Sequence, residues 1–289
     1  MTRNTGSTST GARRSTSRPR QTSGAKKRAP SVASATYLYC AVHAPQRPSV
    51  VDAPPGLPGT GPLRVLEAGE ALWLVVADAP LSRYGSAPIE QKLQDLDWVS
   101  RHALAHETVV EAFMARGTVI PMKLFTLFNS DERAVAHIRG AEKRLRTLLR
   151  RLQGCAEWGV RVRLHEVKAR QHAAQQATPT TGHVSGTSFL LQKKKAQDAA
   201  RDVVVRAHQE ARALYERLLP LASDARQAKA LDGQAATALL LDATFLVPRA
   251  GFQRFEAEVR ASAARLGGLG VDVTLTGPWP PYHFVGEAA

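Results

Sequence analysis

Two cysteines stand in 289 residues, Cys40 and Cys155. They allow one disulfide at most, and neither spacing nor context suits a metal site. Both read as reduced, buried small residues of a cytoplasmic protein. No run of 18 apolar residues occurs, so no membrane-spanning helix is expected. The N-terminus has charge but lacks the apolar segment of a secretory signal. A P-loop, a GxGxxG after a strand and a G-x-S-x-G elbow are all missing, and the carboxylates are scattered on helices. Nothing in the residues points to catalysis, and the chain reads as no enzyme.

Acid is missing altogether from residues 1–36, which hold Arg3, Arg13, Arg14, Arg18, Arg20, Lys26, Lys27 and Arg28. The formal net charge of +14 is therefore concentrated at one end. Residues 1–35, rich in Ser, Thr, Arg and Gly, cannot bury enough apolar surface to offset their ordering entropy and are expected to be disordered. Such a tail reads as a solubilising extension. The alternative, a nucleic-acid arm, lacks aromatic residues for base stacking and would bind non-specifically through charge.

What remains is an alternation of strands and helices. TYLYCAVH (36–43) is β-prone, and a proline-rich loop follows it. ALWLVVA (71–77) is apolar on both faces, Trp73 and Val75 on one and Leu72, Leu74 and Val76 on the other, as in a central covered strand. A helix from about Pro88, breaking near Trp98, would carry Leu93, Leu96, Val99, Ala103, His106, Val110 and Phe113 on one face. Gly117 suits a left-handed helix end. The stretch 118–128 is strand-like, and Pro121 places it at a sheet edge. Asn129 with Glu132 resembles a capping box for a basic helix over 131–152, closed by Gly154. Its arginines read as a solvated surface, with an anion-binding face as the alternative.

The remainder reads strand (155–167), long helix (187–219), a weak strand (225–230), strand (239–247), helix from Phe252, and strand (271–276). At 1.5 Å per residue the long helix would reach about 50 Å. This order, βαββαβ, is the ferredoxin-like pattern. The fold class is thus α+β: a tail (1–35), an N-terminal α+β domain (36–153) and a ferredoxin-like domain (154–289). The closing Trp279, Tyr282 and Phe284, among three prolines, are expected to fold back onto the body.

His102 and His106 lie one helical turn apart, with Glu107 beside the second. Two such histidines can bind a metal, but the glutamate follows the wrong histidine for a zincin and no third ligand is evident. A core histidine bonded to a backbone group explains His106 better.

Three segments carry a resemblance. They are YLYCAV with LWLVVADAP, then Trp98 to TVIPMKLFTLF, and AEWGVRVRLHE through FLVPRAGFQRFEAEV to LTGPWPPYHF. In this order, over about residues 37–285, the chain resembles the gas vesicle protein F/L family. Members often read R-F-G-T-x-F where this chain has residues 123–128, so Phe125 replaces a glycine. The resemblance implies two α+β domains, the second ferredoxin-like, and a non-enzymatic accessory role in gas vesicle assembly. It implies no cofactor, and association with the small, apolar shell subunit and other vesicle proteins. A sheet edge near Pro121 that a subunit segment could extend makes Lys123, Phe125 and Phe128 the candidate partner-binding residues. The rival is a nucleic-acid-binding protein acting through the tail and the helix of 131–152.

Overall fold

The computed structural model describes residues 33–165, 167–169, 171, 186–228 and 237–286. The expectation for residues 1–32 lies outside these, as does that for the last two residues of the weak strand expected at 225–230. Ala33–Ala289 cluster as one compact unit.

The first sheet contains β1 (Ser34–His43), β2 (Arg64–Gly69), β3 (Leu72–Pro80) and β4 (Thr118–Pro121) in the order β2-β3-β1-β4, with the short β5 (Leu127–Phe128) also pairing with β1. All pairs are antiparallel. Strand β1 takes in Ser34 and Ala35, which the sequence assigned to the tail, because they continue the ladder opposite Pro80 and Ala79. Strand β3 is internal and covered on both faces, as its doubly apolar sequence requires. Leu72, Leu74 and Val76 enter one core, and Trp73, Val75 and Ala77 the other. A β-bulge between Leu38 and Cys40 breaks the alternation of β1. It lets Tyr37, Tyr39, Cys40 and Val42 all join the core on one face, while Leu38 and Ala41 join the other. The outer edge of β2 is blunted by arginines: Arg47 donates to the Val65 carbonyl (2.8 Å) and Arg139 to that of Ala68 (3.1 Å).

Helices α1 (Leu81–Tyr84), α2 (Ser86–Lys92) and α3 (Leu96–Met114) follow β3. The break expected near Trp98 falls three residues earlier, where Asp95 caps α3 by accepting from the Trp98 amide (3.0 Å). That cap sets the phase of α3. His102, His106, Val109, Val110 and Phe113 are buried, whereas Leu93, outside the helix, and Leu96, in its first turn, are exposed. Gly117 is not left-handed. Its need for glycine is steric, since a Cβ there would lie 2.5 Å from the His43 carbonyl oxygen.

The expected single basic helix is two, α4 (Asp131–Gly140) and α5 (Glu142–Leu152), broken at Ala141 where Gly140 weakens the helix. The cap is Ser130, accepting from the Arg133 amide (3.3 Å), rather than Asn129. Asp131 at the start of α4 accepts from Arg64 of β2 (2.6 Å) and Thr36 of β1 (2.7 Å), docking the helix on the sheet. Gly154 closes α5 at φ 70°, a left-handed conformation that suits glycine.

The second sheet contains β6 (Cys155–His165), β7 (Asp224–Gln227), β8 (Thr237–Pro248) and β9 (Val271–Trp279), ordered β7-β8-β6-β9 and antiparallel throughout. The long helix α6 (Gly186–Leu218) joins β6 to β7, and α7 (Phe252–Gly267) joins β8 to β9. Val203, Ala207, Ala211, Leu214 and Leu218 recur at threes and fours along α6 and pack in one core with Val160, Phe245 and Phe255. Among the described residues, no helix is long and apolar enough to cross a membrane.

A third core ties the two sheets together. Leu38, Leu74 and Ile120 of the first sheet and Ile138 and Leu149 of α4 and α5 share it with Leu246 of β8 and with Phe284 and Val285 of α8 (Tyr282–Val285). The closing segment thus folds back as expected, but through Phe284, which is 2% exposed, and not through Trp279, which continues β9 and is 36% exposed. We expect Phe284→Ala to lower unfolding stability by about 3–5 kcal/mol and Trp279→Ala by less than about 1.5 kcal/mol. Urea denaturation of both variants checks this; equal losses would contradict the assigned burial.

Candidate functional site

The residues the sequence singled out in its central stretch converge where α3, β1 and the turn after β4 meet. Trp98, His102 and His106 are four residues apart, so α3 presents them in a row toward the sheet. Tyr37 and Tyr39, two apart on β1, come from below. The turn of residues 122–126 closes the cluster. Trp98 stacks on Phe125 (ring centroids 5.3 Å apart) and lies 4.0 Å from the His102 ring, while Tyr39 stacks on His106 at 5.5 Å.

A buried relay of hydrogen bonds fixes this turn. The Met122 carbonyl can only accept, so His106 Nε2 carries the proton and donates to it (3.0 Å). Nδ1 of the neutral ring therefore accepts from the Tyr37 hydroxyl (2.8 Å). The same hydroxyl accepts from the Phe125 amide (3.1 Å). Backbone bonds hold both ends: Met122 N–H to Tyr39 O and Leu38 N–H to Thr126 O, each 2.9 Å. Burial presses His106 down to about 4, against the raising effect of its bond to Met122. Burial likewise pushes Tyr37 and Cys40 far up and Tyr84 up to about 12.

Both ring nitrogens of His106 are thus engaged by protein, which leaves it no lone pair for a metal. His102 Nδ1 donates to the Trp98 carbonyl (2.7 Å). Among the described residues, no group of three or more His, Cys, Asp or Glu is placed to hold a metal ion.

Phe125 occupies the position where the resemblance calls for glycine, and its backbone is left-handed, φ 65°. The turn keeps the conformation glycine would take, and the phenyl ring offsets its strain by packing on Trp98. Lys123 is exposed beside it. Phe128, in contrast, packs toward the opposite core and against His137 (5.2 Å). The three candidate residues therefore do not share one surface: Phe125 and Phe128 serve opposite faces of the sheet. Strand β4 is last in its sheet, as Pro121 suggests, but its edge is not open. Val119, Ile120, Pro121 and Met122 are buried, under packing from α5 and α8.

A second polar node was not visible in the sequence. Glu157 of β6 is 2% exposed, and its carboxylate accepts from His283 twice, from Nδ1 (2.6 Å) and from the backbone amide (3.0 Å). That bond raises the His283 pKa above the usual imidazole range. The pair is separated by 126 positions, and no local pattern links them.

The fold is that of solved gas vesicle proteins. The crystal structure of GvpF from Anabaena sp. PCC7120 aligns with a TM-score of 0.62 at 17% identity, over 87% of this chain and 98% of that one. That of GvpF from Microcystis aeruginosa aligns at 0.60 and 15%, over 86% and 98%. In sequence, gas vesicle protein L of Streptomyces sp. (strain CB03234) is 31% identical over 252 residues, 86% of this chain and 92% of the relative. Gas vesicle protein L1 of Halobacterium salinarum is 26% identical over 88% of this chain and 91% of its own length. Residues 35–286 match the family described as gas vesicle synthesis protein GvpL/GvpF, and the chain belongs to that family. Its role is accordingly in gas vesicle formation.

The backbone at Phe125 can be tested separately from its ring. At φ 65° a Cβ is unfavourable, so Phe125→Gly should be more stable than Phe125→Ala by about 1 kcal/mol, although both lose the ring. A reversed order in thermal or urea unfolding would rule out the left-handed turn.

The relay also predicts an acid response. His106 titrates lower in the folded chain than its ordinary 6.5. Its contribution to stability is therefore present above about pH 6.5 and is lost progressively down to about 4, by up to about 1.4 kcal/mol per pH unit. His283 acts oppositely, its contribution being present below the ordinary imidazole value and lost as pH rises through the raised one. Unfolding free energies measured from pH 7 to 4.5 should fall more steeply for the parent than for His106→Gln. Parallel profiles would show that His106 is not buried neutral.

Proposed function

We propose that this chain is a non-enzymatic accessory protein of gas vesicle assembly that binds the small, apolar shell subunit in the cytoplasm before the subunit is placed. A subunit destined to line a gas space exposes apolar surface beforehand, and such surface aggregates in water. Membership of the GvpL/GvpF family over residues 35–286 supports the setting. The observation that carries the binding reading is the apolar exposure of α3 and the segment before it, the elements that bear the Trp98–Phe125 stack. Leu96 is 77% exposed, Leu104 66% and Leu93 46%.

The docking surface is therefore taken as the rigid turn with Lys123 and Phe125 together with α3, in place of strand addition at β4. Phe128 supports this surface from the opposite side of the sheet and does not itself contact the subunit. The non-enzymatic reading draws on the chemistry of the buried groups. His106, Tyr37 and Cys40 are held in their neutral, unreactive forms. Residues 36–153 and 154–289 are read as two α+β domains joined by a common core, the second ferredoxin-like. The order β7-β8-β6-β9, with α6 and α7 as its crossovers, supports that reading.

The test is co-expression of the full chain with the shell subunit, scored by subunit solubility and co-purification. The parent should retain the subunit. Leu96→Glu combined with Leu104→Glu, both surface changes that leave the fold intact, should lower the co-purified amount on the order of tenfold. Equal retention by the folded variant would move the site away from α3. An insoluble and unbound subunit with the parent chain would end the direct-binding reading.

A further inference from the structure

The outermost strand of a sheet turns a row of N–H and C=O groups outward, a template for a further strand unless something blunts it. The outermost strands here are β2 and β4 in the first sheet and β7 and β9 in the second. Arg47 and Arg139 occupy carbonyls of β2, α5 and α8 cover β4, and β7 is only four residues long. Strand β9 has none of these protections. It is nine residues long, and β6 is its one strand partner among the described residues. The His165 amide donates to the Gly270 carbonyl (3.0 Å), which fixes the phase of that ladder. Asp272, Thr274 and Thr276 therefore turn their backbone groups to β6, and Val271, Val273 and Leu275 turn theirs outward. The ladder runs without a bulge from Val271 to Thr276. No Lys, Arg or Pro occurs between Gly270 and Pro278. The one charged side chain there, Asp272, is engaged by His165 (2.6 Å) and Lys168 (3.6 Å).

We infer that β9 pairs antiparallel with β9 of a second copy of this chain, joining the second sheets of both copies into one continuous sheet. Pairing about a two-fold axis needs a strand that is complementary to its own reverse. The outward groups fall on alternate residues, so each must meet another of the same set. The register centred on Thr274 does this and uses the whole stretch from Val271 to Gly277, whereas registers centred on Val273 or Leu275 shorten it. In it, the amide and carbonyl of Val273 meet those of Leu275 of the second copy, and the reverse pair repeats them. On the open face, Thr274 meets its own equivalent and Asp272 meets Thr276, whose hydroxyl can donate to the carboxylate. No like charges face each other. On the other face Val273 and Leu275, half-buried against the core of α6 and α7, come side by side and continue that apolar layer across the joint. A strand of another protein would have to supply this pattern; a second copy already carries it. A contact of one strand per copy is small, so the dimer is weak and forms with rising concentration.

This edge takes no residue from the α3 surface assigned to the shell subunit, and either assignment can fail alone. Sedimentation velocity on the full chain from about 1 to about 200 μM, where contacts of this size associate, should show monomer passing into dimer. Two variants test the register. Thr274→Lys sets two cations opposite each other at the two-fold axis and should weaken the dimer by about threefold or more. Thr276→Lys sets a cation opposite Asp272 of the second copy and should tighten it by about as much. Each adds one positive charge to the same exposed row, so opposite effects cannot come from net charge. An unaltered melting temperature at low concentration shows that the fold is intact. A parent that stays monomeric at the highest concentration would overturn the inference and leave the edge to a strand of another protein. A dimer that Thr274→Lys does not weaken, or that Thr276→Lys does not tighten, would overturn it as well, because the contact or its register would then be a different one.

Discussion

The bond between the Tyr37 hydroxyl and His106 is the constraint on which the N-terminal part of this molecule depends. One side chain comes from the central strand and the other from the longest helix of that part, and between them they satisfy the Met122 carbonyl and the Phe125 amide of the turn. A hydroxyl and an imidazole buried this deeply would each cost several kcal/mol if left alone. Joined, and extended to the Phe125 amide and the Met122 carbonyl, they fix the distance between helix and sheet and the path of the turn together. The aromatic stack of Trp98 on Phe125 then has one geometry available to it.

The bulge in β1 adds Cys40 and Val42 to the face that Tyr37 and Tyr39 already share. Without it, strict alternation would send Tyr39 and Cys40 to opposite faces and place Val42 away from Tyr37. With it, Tyr37, Tyr39, Cys40 and Val42 of a single strand all enter one core. The opposite face keeps Leu38 and Ala41 for the core that joins the sheets.

Much of the fold was legible because its signals are local. The doubly apolar β3, the alternation of β6, the small-residue stripe of α6 and the long apolar β8 announce themselves by period alone. The errors were equally local in origin. Asn129 and Ser130 are both competent caps, and only the docking of Asp131 onto Arg64 and Thr36 decides between them. The phase of α3 is set by Asp95, so a hydrophobic count that began at Leu93 chose the wrong start. Gly117 looked like a helix terminator because a close backbone approach leaves the same residue in the sequence as a left-handed turn. At the candidate site, the Trp98–His102–His106 spacing was visible, but the partners Tyr37, Tyr39 and Phe125 are brought in by topology. The closed edge at β4 and the pairing of Glu157 with His283 depend on where the second half of the chain lies, and no pattern within either half encodes it.

The core shared by the two sheets carries a consequence for how the chain comes into being. Leu38 and Leu74 emerge early in synthesis, whereas Phe284 and Val285, which cover the same core, emerge after both sheets and all the long helices have been made. The first sheet therefore leaves the ribosome with one hydrophobic face incomplete and stays so until residues 284 and 285 have been made. During that interval the nascent chain presents sticky surface of its own, much as its proposed client does, and its exposure to misassembly is set by the rate of elongation through the second half.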